Sequence, residues 1–221
     1  MGSGKFWRRR LRSLTSCLFL GSLAAAAHTA SAQPAADGVE RLEAFLDGVQ
    51  SLTADFKQML WSADQKPLQT DSGSLSLKRP NRFRWSYEDP TELTIVADGA
   101  QLWIYDVELA QVTVTPFDDT VATSPAMLLS GDRAVREDYD VVDSYSVDGL
   151  DWVKLEPKRS SDFSAVSIGF SGAEPRRLEL VDGLGQVTRI ELDNLVLNPE
   201  ISDDVFELAV PAGVDVVGDD G

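Results

Sequence analysis

The residue types that carry most enzymatic chemistry are nearly missing from this chain. Its one cysteine, Cys17, and its one histidine, His28, both fall within residues 1–32, a segment that reads as an export signal. Once that segment is removed, no Ser-His or Cys-His nucleophile pair can form. A zinc site of the usual ligands and haem ligation by His or Cys are excluded as well. No S-x-x-K offers a serine–lysine nucleophile. Carboxylates are abundant, with 36 Asp and Glu, and a glycosidase needs two of them flanking its substrate. Adjacent pairs such as Asp118-Asp119 and Asp203-Asp204 read instead as solvated surface, because neither lies in an apolar setting that would raise a pKa. Gly183-Leu184-Gly185-Gln186-Val187-Thr188 approaches a phosphate-cradling GxGxxG. A strand follows it, however, so no helix N-terminus is available, and Asp182-Gly183 reads as a hairpin turn. The chain is therefore expected to be no enzyme, with no cofactor and no metal. Binding remains, and the feature that stands out is a basic corner, Lys78-Arg79-Pro80-Asn81, in a strongly acidic protein.

The export reading rests on three parts. Lys5, Arg8, Arg9, Arg10 and Arg12 form a basic n-region, Leu14 to Ala27 an apolar run, and Ala30-Ser31-Ala32 a small-residue cleavage site. This combination is a cleavable secretory signal rather than a membrane span. Leu14-Thr15-Ser16-Cys17 fits a lipobox, but the apolar run continues past Cys17, so cleavage after Ala32 is the expectation. Residues 33–221 then form one domain. Removal of the signal takes five of the 20 Lys and Arg and none of the acids, leaving a net charge of −21. Such a chain repels nucleic acid and anionic lipid surfaces. It is expected to work in the periplasm, soluble, monomeric and without disulfides.

Val39, Leu42, Leu46 and Val49, with Phe45 beside them, lie on one face of a three-turn helix. Asp37 is placed at its N-cap and Gly48 near its end. From Ser51 the apolar period falls to two. Alternation marks strands around Ala54–Gln58, Leu75–Leu77, Phe83–Tyr87, Leu93–Ile95, Leu102–Tyr105 and Val112–Val114. Pro116 to Gly131 breaks the pattern. Inside it, Ser124 as N-cap, Pro125 at the first helical position and Gly131 as the stop predict a short helix. Strands resume over residues 140–147, 151–156, 163–170, 177–181 and 186–197. Phe206 to Val210 is expected to be a last strand and the acidic tail beyond Pro211 to be loose. The fold class is mainly β with a few helices, either one strongly curved antiparallel sheet or barrel, or a two-sheet sandwich. The helices belong on the concave side. There they either fill an ordinary core or cover a cavity able to hold an apolar ligand.

The motifs favour the second arrangement by resemblance. Lys78-Arg79-Pro80-Asn81-x-Phe83-x-Trp85 resembles the K-R-P-N-x-F-x-W hairpin of the LolA family of outer-membrane lipoprotein carriers. Asp98-Gly99-x-x-Leu102-Trp103-x-Tyr105, Gln111-Val112-Thr113 and the Pro125–Leu129 helix are similar to family segments in the same order. The likeness runs from the first helix to Val210. It departs at Ser124, where Thr is frequent, at the small Ala126, and in the acidity of the tail. It implies an incomplete barrel of about eleven strands with an α-helical lid over an apolar cavity. By the same resemblance Arg79 is the lid latch, bonded to lid backbone carbonyls when the cavity is empty. Leu42, Leu46, Leu75, Leu77, Phe83, Trp85, Met127, Leu128 and Leu129 are the residues expected to form the cavity and lid. The implied partners are acylated lipoproteins, an ATP-driven inner-membrane complex that releases them, and an outer-membrane receptor. That receptor itself, or a periplasmic stress-signalling regulator of similar fold, is the alternative role.

Overall fold

The computed structural model describes residues 38–117, 125–130 and 133–218. The signal segment, Asp37, Asp118-Asp119, Ser124 and Gly131 lie outside the described residues. The first element is the expected helix, α1 (Gly38–Gly48), which buries Leu42, Phe45 and Leu46. Its start is set by close approach: a Cβ on Gly38 would stand 2.1 Å from the carbonyl oxygen of Trp152. Six strands follow, β1 (Ser51–Trp61), β2 (Pro67–Lys78), β3 (Arg82–Asp89), β4 (Leu93–Asp98), β5 (Gln101–Asp106) and β6 (Gln111–Pro116). Two short helices, α2 (Pro125–Ser130) and α3 (Arg133–Asp138), precede β7 (Tyr139–Val147), β8 (Leu150–Pro157), β9 (Phe163–Ser171), β10 (Glu174–Asp182) and β11 (Val187–Leu197). A 3₁₀ turn at Asp203–Phe206 and β12 (Asp215–Gly218) complete the chain.

The twelve strands of the described residues join one sheet, in the order β12-β6-β5-β4-β3-β2-β1-β11-β10-β9-β8-β7. Every pairing is antiparallel except β12 on β6. The sheet is open, with β7 and β12 at its two edges, so it is an incomplete barrel and not a sandwich. Alternation sends Leu52, Ala54 and Phe56 of β1, Leu75 and Leu77 of β2, and Phe83 and Trp85 of β3 to one face. On that inner face they share one core with Ile168, Leu178 and Ile190 and with Leu42, Phe45, Leu46, Leu128, Leu129 and Val135 of the helices. Helix α1 lies on β7–β9, while α2 lies on β2 and β3.

The turns follow their sequence signals. Asp98 accepts hydrogen bonds from the backbone N–H groups of Ala100 and Gln101, each at 2.8 Å, and from Trp103 Nε1 at 3.0 Å. Gly99, at φ +100°, supplies the left-handed turn. Asp182 in the same way accepts from the N–H groups of Leu184 and Gln186, so the glycine-rich stretch is a hairpin.

Two expectations about the C-terminus are corrected. Phe206 begins no strand. It ends the 3₁₀ turn and is 1% exposed on the outer face, where Val96 of β4 is also fully buried. Nor is the tail loose, because Asp215–Gly218 runs parallel to β6, with Val216 opposite Val112. Burial of one large ring outweighs strand propensity at Phe206. The β-branched Val216 and Val217 suit the pleat. Residues 198–214 thus form a strap from the middle of the sheet, over the outer face of β3 and β4, to the β6 edge. Arg84 donates to the Val205 carbonyl at 3.5 Å along the way.

Replacing Phe206 by Ala empties the contact that seats this strap. We expect a loss of about 3–5 kcal/mol in unfolding free energy, read as a lower urea midpoint with little change in slope.

Candidate binding trough and its lid

A helix leaves its last four carbonyls without intrahelical donors. At the end of α1 the carbonyls of Leu46 and Val49, with that of Phe45, which already accepts the Val49 N–H at 3.1 Å, face the β2–β3 corner, where Arg79 is only 9% exposed. Arg79 Nη1 donates to the carbonyls of Phe45 at 3.2 Å, Leu46 at 2.8 Å and Val49 at 2.6 Å. Its Nη2 donates to the Leu129 carbonyl in α2 at 3.0 Å. The guanidinium carbon sits 5.0 Å from the centre of the Phe45 ring, a favourable cation–π distance. One planar fork therefore joins the sheet corner to two separate helices. A lysine ammonium lacks the spread of donors to do this.

The corner is braced on both sides. The Arg79 N–H donates to the Gln50 carbonyl at 2.8 Å. Lys78 Nζ donates to the Ile201 carbonyl at 2.9 Å and pairs with Asp203 at 2.5 Å, while Arg82 reaches the same carboxylate at 2.9 Å. The Lys78 hydrogen bond and charge hold the Asp203 carboxyl below the usual range. Asn198 completes the end of α1. Its Nδ2 donates to the Gly48 carbonyl at 3.1 Å and its Oδ1 accepts from the Gln50 N–H at 2.7 Å.

Leu42, Leu46, Leu75, Leu77, Phe83, Trp85, Leu128 and Leu129 are all buried in the one inner core. Met127 lies within α2, but its side chain is outside the described residues. Ile95 and Ile104 extend the apolar face as half-buried residues.

Sequence reasoning missed a polar group on the same face. Asp71 of β2 is 6% exposed and lies in the row of Leu75 and Leu77. It accepts from Gln69 Nε2 at 2.7 Å and Gln58 Nε2 at 3.3 Å. Tyr87 donates its hydroxyl proton to Gln58 Oε1 at 3.3 Å. Phe56 packs edge-on to Tyr87 at 5.1 Å. The available signal was parity, since an acid two and three pleats before two inward leucines must itself point inward. Among the described residues no group of His, Cys, Asp and Glu is placed to hold a metal.

These residues form an open, mainly antiparallel sheet whose apolar inner face is covered by helices that share one buried arginine. Comparison with known proteins gives the class its name. Residues 47–209 match the family described as outer membrane lipoprotein carrier protein LolA. The outer-membrane lipoprotein carrier protein of Methylobacillus flagellatus is 40% identical over 185 residues, 83% of this chain and 90% of that protein. The protein of the same name from Methylococcus capsulatus is 39% identical over 180 residues, covering 81% and 86%. An uncharacterized conserved protein of Thermus thermophilus shares the fold, with a TM-score of 0.51 at 14% identity, over 81% of this chain and 95% of that one. This chain belongs to the LolA family.

Burial, and secondarily the charge of Asp71, push the Tyr87 phenol up from 10.0 to about 12. Between those values the folded state holds the proton more tightly, so stability is full below about pH 10 and falls as pH rises through about 12. Replacing Tyr87 by Phe should remove both that alkaline loss of stability and one late-titrating tyrosine seen by ultraviolet absorbance.

Proposed function

We propose that the chain is a periplasmic carrier of lipoproteins, a binding protein that makes and breaks no covalent bond. It accepts acylated cargo released by an ATP-driven complex in the inner membrane and yields it to a receptor at the outer membrane. It works as a monomer, exported by cleavage after Ala32. The observation that carries this reading is the Arg79 guanidinium, which ties α1 and α2 together over an apolar face. The relatives' shared name supports the cargo class.

The energetics fit a carrier. Each buried CH₂ contributes about 0.8 kcal/mol, so several long chains do not leave a membrane for water unaided. A carrier must offer comparable apolar surface without holding the chains too tightly to hand on. Opening the Arg79 contacts uses part of the acyl binding energy, and re-forming them favours release. Leu75, Leu77, Phe83 and Trp85 would line the bound chains from the sheet, and Leu42, Leu46, Met127, Leu128 and Leu129 from the lid.

An exported form recovered from cells should carry lipid or lipoprotein by native mass spectrometry, and its mature N-terminus should be Gln33. An acylated Cys17 would identify the receptor of the same pathway instead. Replacing Arg79 by Leu should leave loading intact and slow delivery to the receptor by about tenfold or more in a reconstituted assay. Delivery at the normal rate would remove the latch from the mechanism.

A further inference from the structure

The C-terminal strap leaves a groove beside it on the outer face of the sheet. Parity sends Arg84, Ser86 and Glu88 of β3 outward, because Phe83 and Trp85 belong to the inner core. Thr94 and Val96 of β4 and Trp103 and Tyr105 of β5 point the same way. Register places Arg84 beside Val96 and Trp103, and Ser86 beside Thr94 and Tyr105. The 3₁₀ turn that ends at Phe206 packs on β3 and β4. Past it, Glu207, Leu208 and Ala209 wall a cavity of about 360 Å³ whose floor includes Ser86, Thr94 and Tyr105. Arg84 stands at its inner end, and Glu88 and Glu92 stand toward the rim. The volume lies within the range of about 300–1,000 Å³ usual for ligand sites.

Most polar groups of the groove find no partner among the described residues. The chain leaves the 3₁₀ turn extended, with Glu207 at φ −107° and ψ 132°. Beyond it the backbone groups of Leu208, Ala209 and Val210 form no hydrogen bond with any described residue. A backbone run with an open edge is a template for an added strand. Arg84 makes one hydrogen bond, to the Val205 carbonyl at 3.5 Å, and no described carboxylate pairs with it. It stays unpaired although the chain has 36 Asp and Glu against 20 Lys and Arg. The hydroxyls of Ser86, Thr94 and Tyr105 likewise form no hydrogen bond among the described residues. Glu88 accepts from Ser74 Oγ at 3.0 Å, and no described base pairs with Glu88, Glu92 or Glu207.

We infer that this groove docks an extended segment of a partner protein, one that bears an acidic side chain flanked by basic ones. The segment's main chain pairs with Leu208 and Ala209, its carboxylate takes the Arg84 fork, and its basic side chains meet Glu88, Glu92 and Glu207. Main-chain pairing supplies affinity, and the order of charges fixes the register. A free phosphate or carboxylate fits less well, because its approach to Arg84 passes three groups of its own sign. A segment that carries its own cations meets no such obstacle. The groove lies on the face opposite the inner core, so the inference does not depend on the carrier reading. A partner seated here holds the protein without covering the Arg79 lid.

The probe is a blocked peptide, acetyl-Lys-Val-Glu-Val-Lys-amide, titrated into isotope-labelled mature protein and followed by NMR. The backbone amides of Ser86, Leu208 and Ala209 should shift, and hydrogen exchange at the two strap amides should slow. A second peptide with Gln in place of Glu should bind about tenfold more weakly, the loss of one charge-assisted pair. Replacing Arg84 by Leu should weaken the Glu peptide about tenfold and leave the Gln peptide unchanged, which also reports that the variant is folded. Equal affinities of the two peptides for the wild-type protein would overturn the inference, and this comparison needs no variant. Shifts absent from the groove would overturn it as well. Acetate or inorganic phosphate moving the same amides at the same concentration would overturn assignment to a peptide. None of these outcomes touches the cargo, so the carrier function stands or falls separately.

Discussion

Unpaired carbonyl groups at the end of α1 constrain everything built around them. Those of Phe45, Leu46 and Val49 are buried where water cannot serve them and must find donors within the protein, the Phe45 carbonyl taking the Val49 N–H as well as Arg79. Arg79 supplies those donors from the β2–β3 corner, while Asn198, from the chain just past β11, serves the exposed Gly48 carbonyl. Lys78 and Arg82 meet at the corner on the exposed Asp203 carboxylate, and the helix has its register because Gly38 touches the backbone of Trp152. Remove the carbonyls' need for donors and there is no reason for a guanidinium to be buried at this place.

The two donors are not equivalent. Asn198 binds only the end of α1, whereas Arg79 spans α1 and α2. Helix α1 is also held at its other end, where the Gly38 N–H donates to Ser144 Oγ at 3.0 Å and Arg41 pairs with Asp151 at 3.4 Å. The contacts of α1 with β7–β9 are thus independent of Arg79, whereas its tie to α2 runs through that side chain. Helix α2 lies over β2 and β3, where the inner face carries Leu75, Leu77, Phe83 and Trp85.

How much of this was legible depended on whether the signal was local. Helix α1 and the alternating pairs Leu75/Leu77 and Phe83/Trp85 announce themselves, as do the Asp98-Gly99 and Asp182-Gly183 turns, because the period or the turn chemistry lies within a few residues. The first half of β2 was hidden. Gln69, Thr70, Ser72 and Ser74 give no apolar alternation, and their strand character comes from pairing with β1. Helix α3 is under two turns long and of mixed polarity, with Val135 too isolated to read as an apolar face. Phe206 was misplaced because its partners lie on a strand far upstream. Arg79 is the instructive case. Its partners are backbone atoms about 30 to 50 positions away, which no side-chain pattern encodes, so only likeness to a family could point to it. Asp71 was overlooked among many acids although parity alone fixed its direction.

The C-terminal strap has a mechanical consequence. It is fastened to the sheet at β11 and again at the β6 edge, and it passes over the convex side. Tighter curling of an arch lengthens its outer arc, which would draw this tie taut, while flattening only slackens it. Burial of the apolar inner face favours tight curling in water, and the tie limits how far that curling can go.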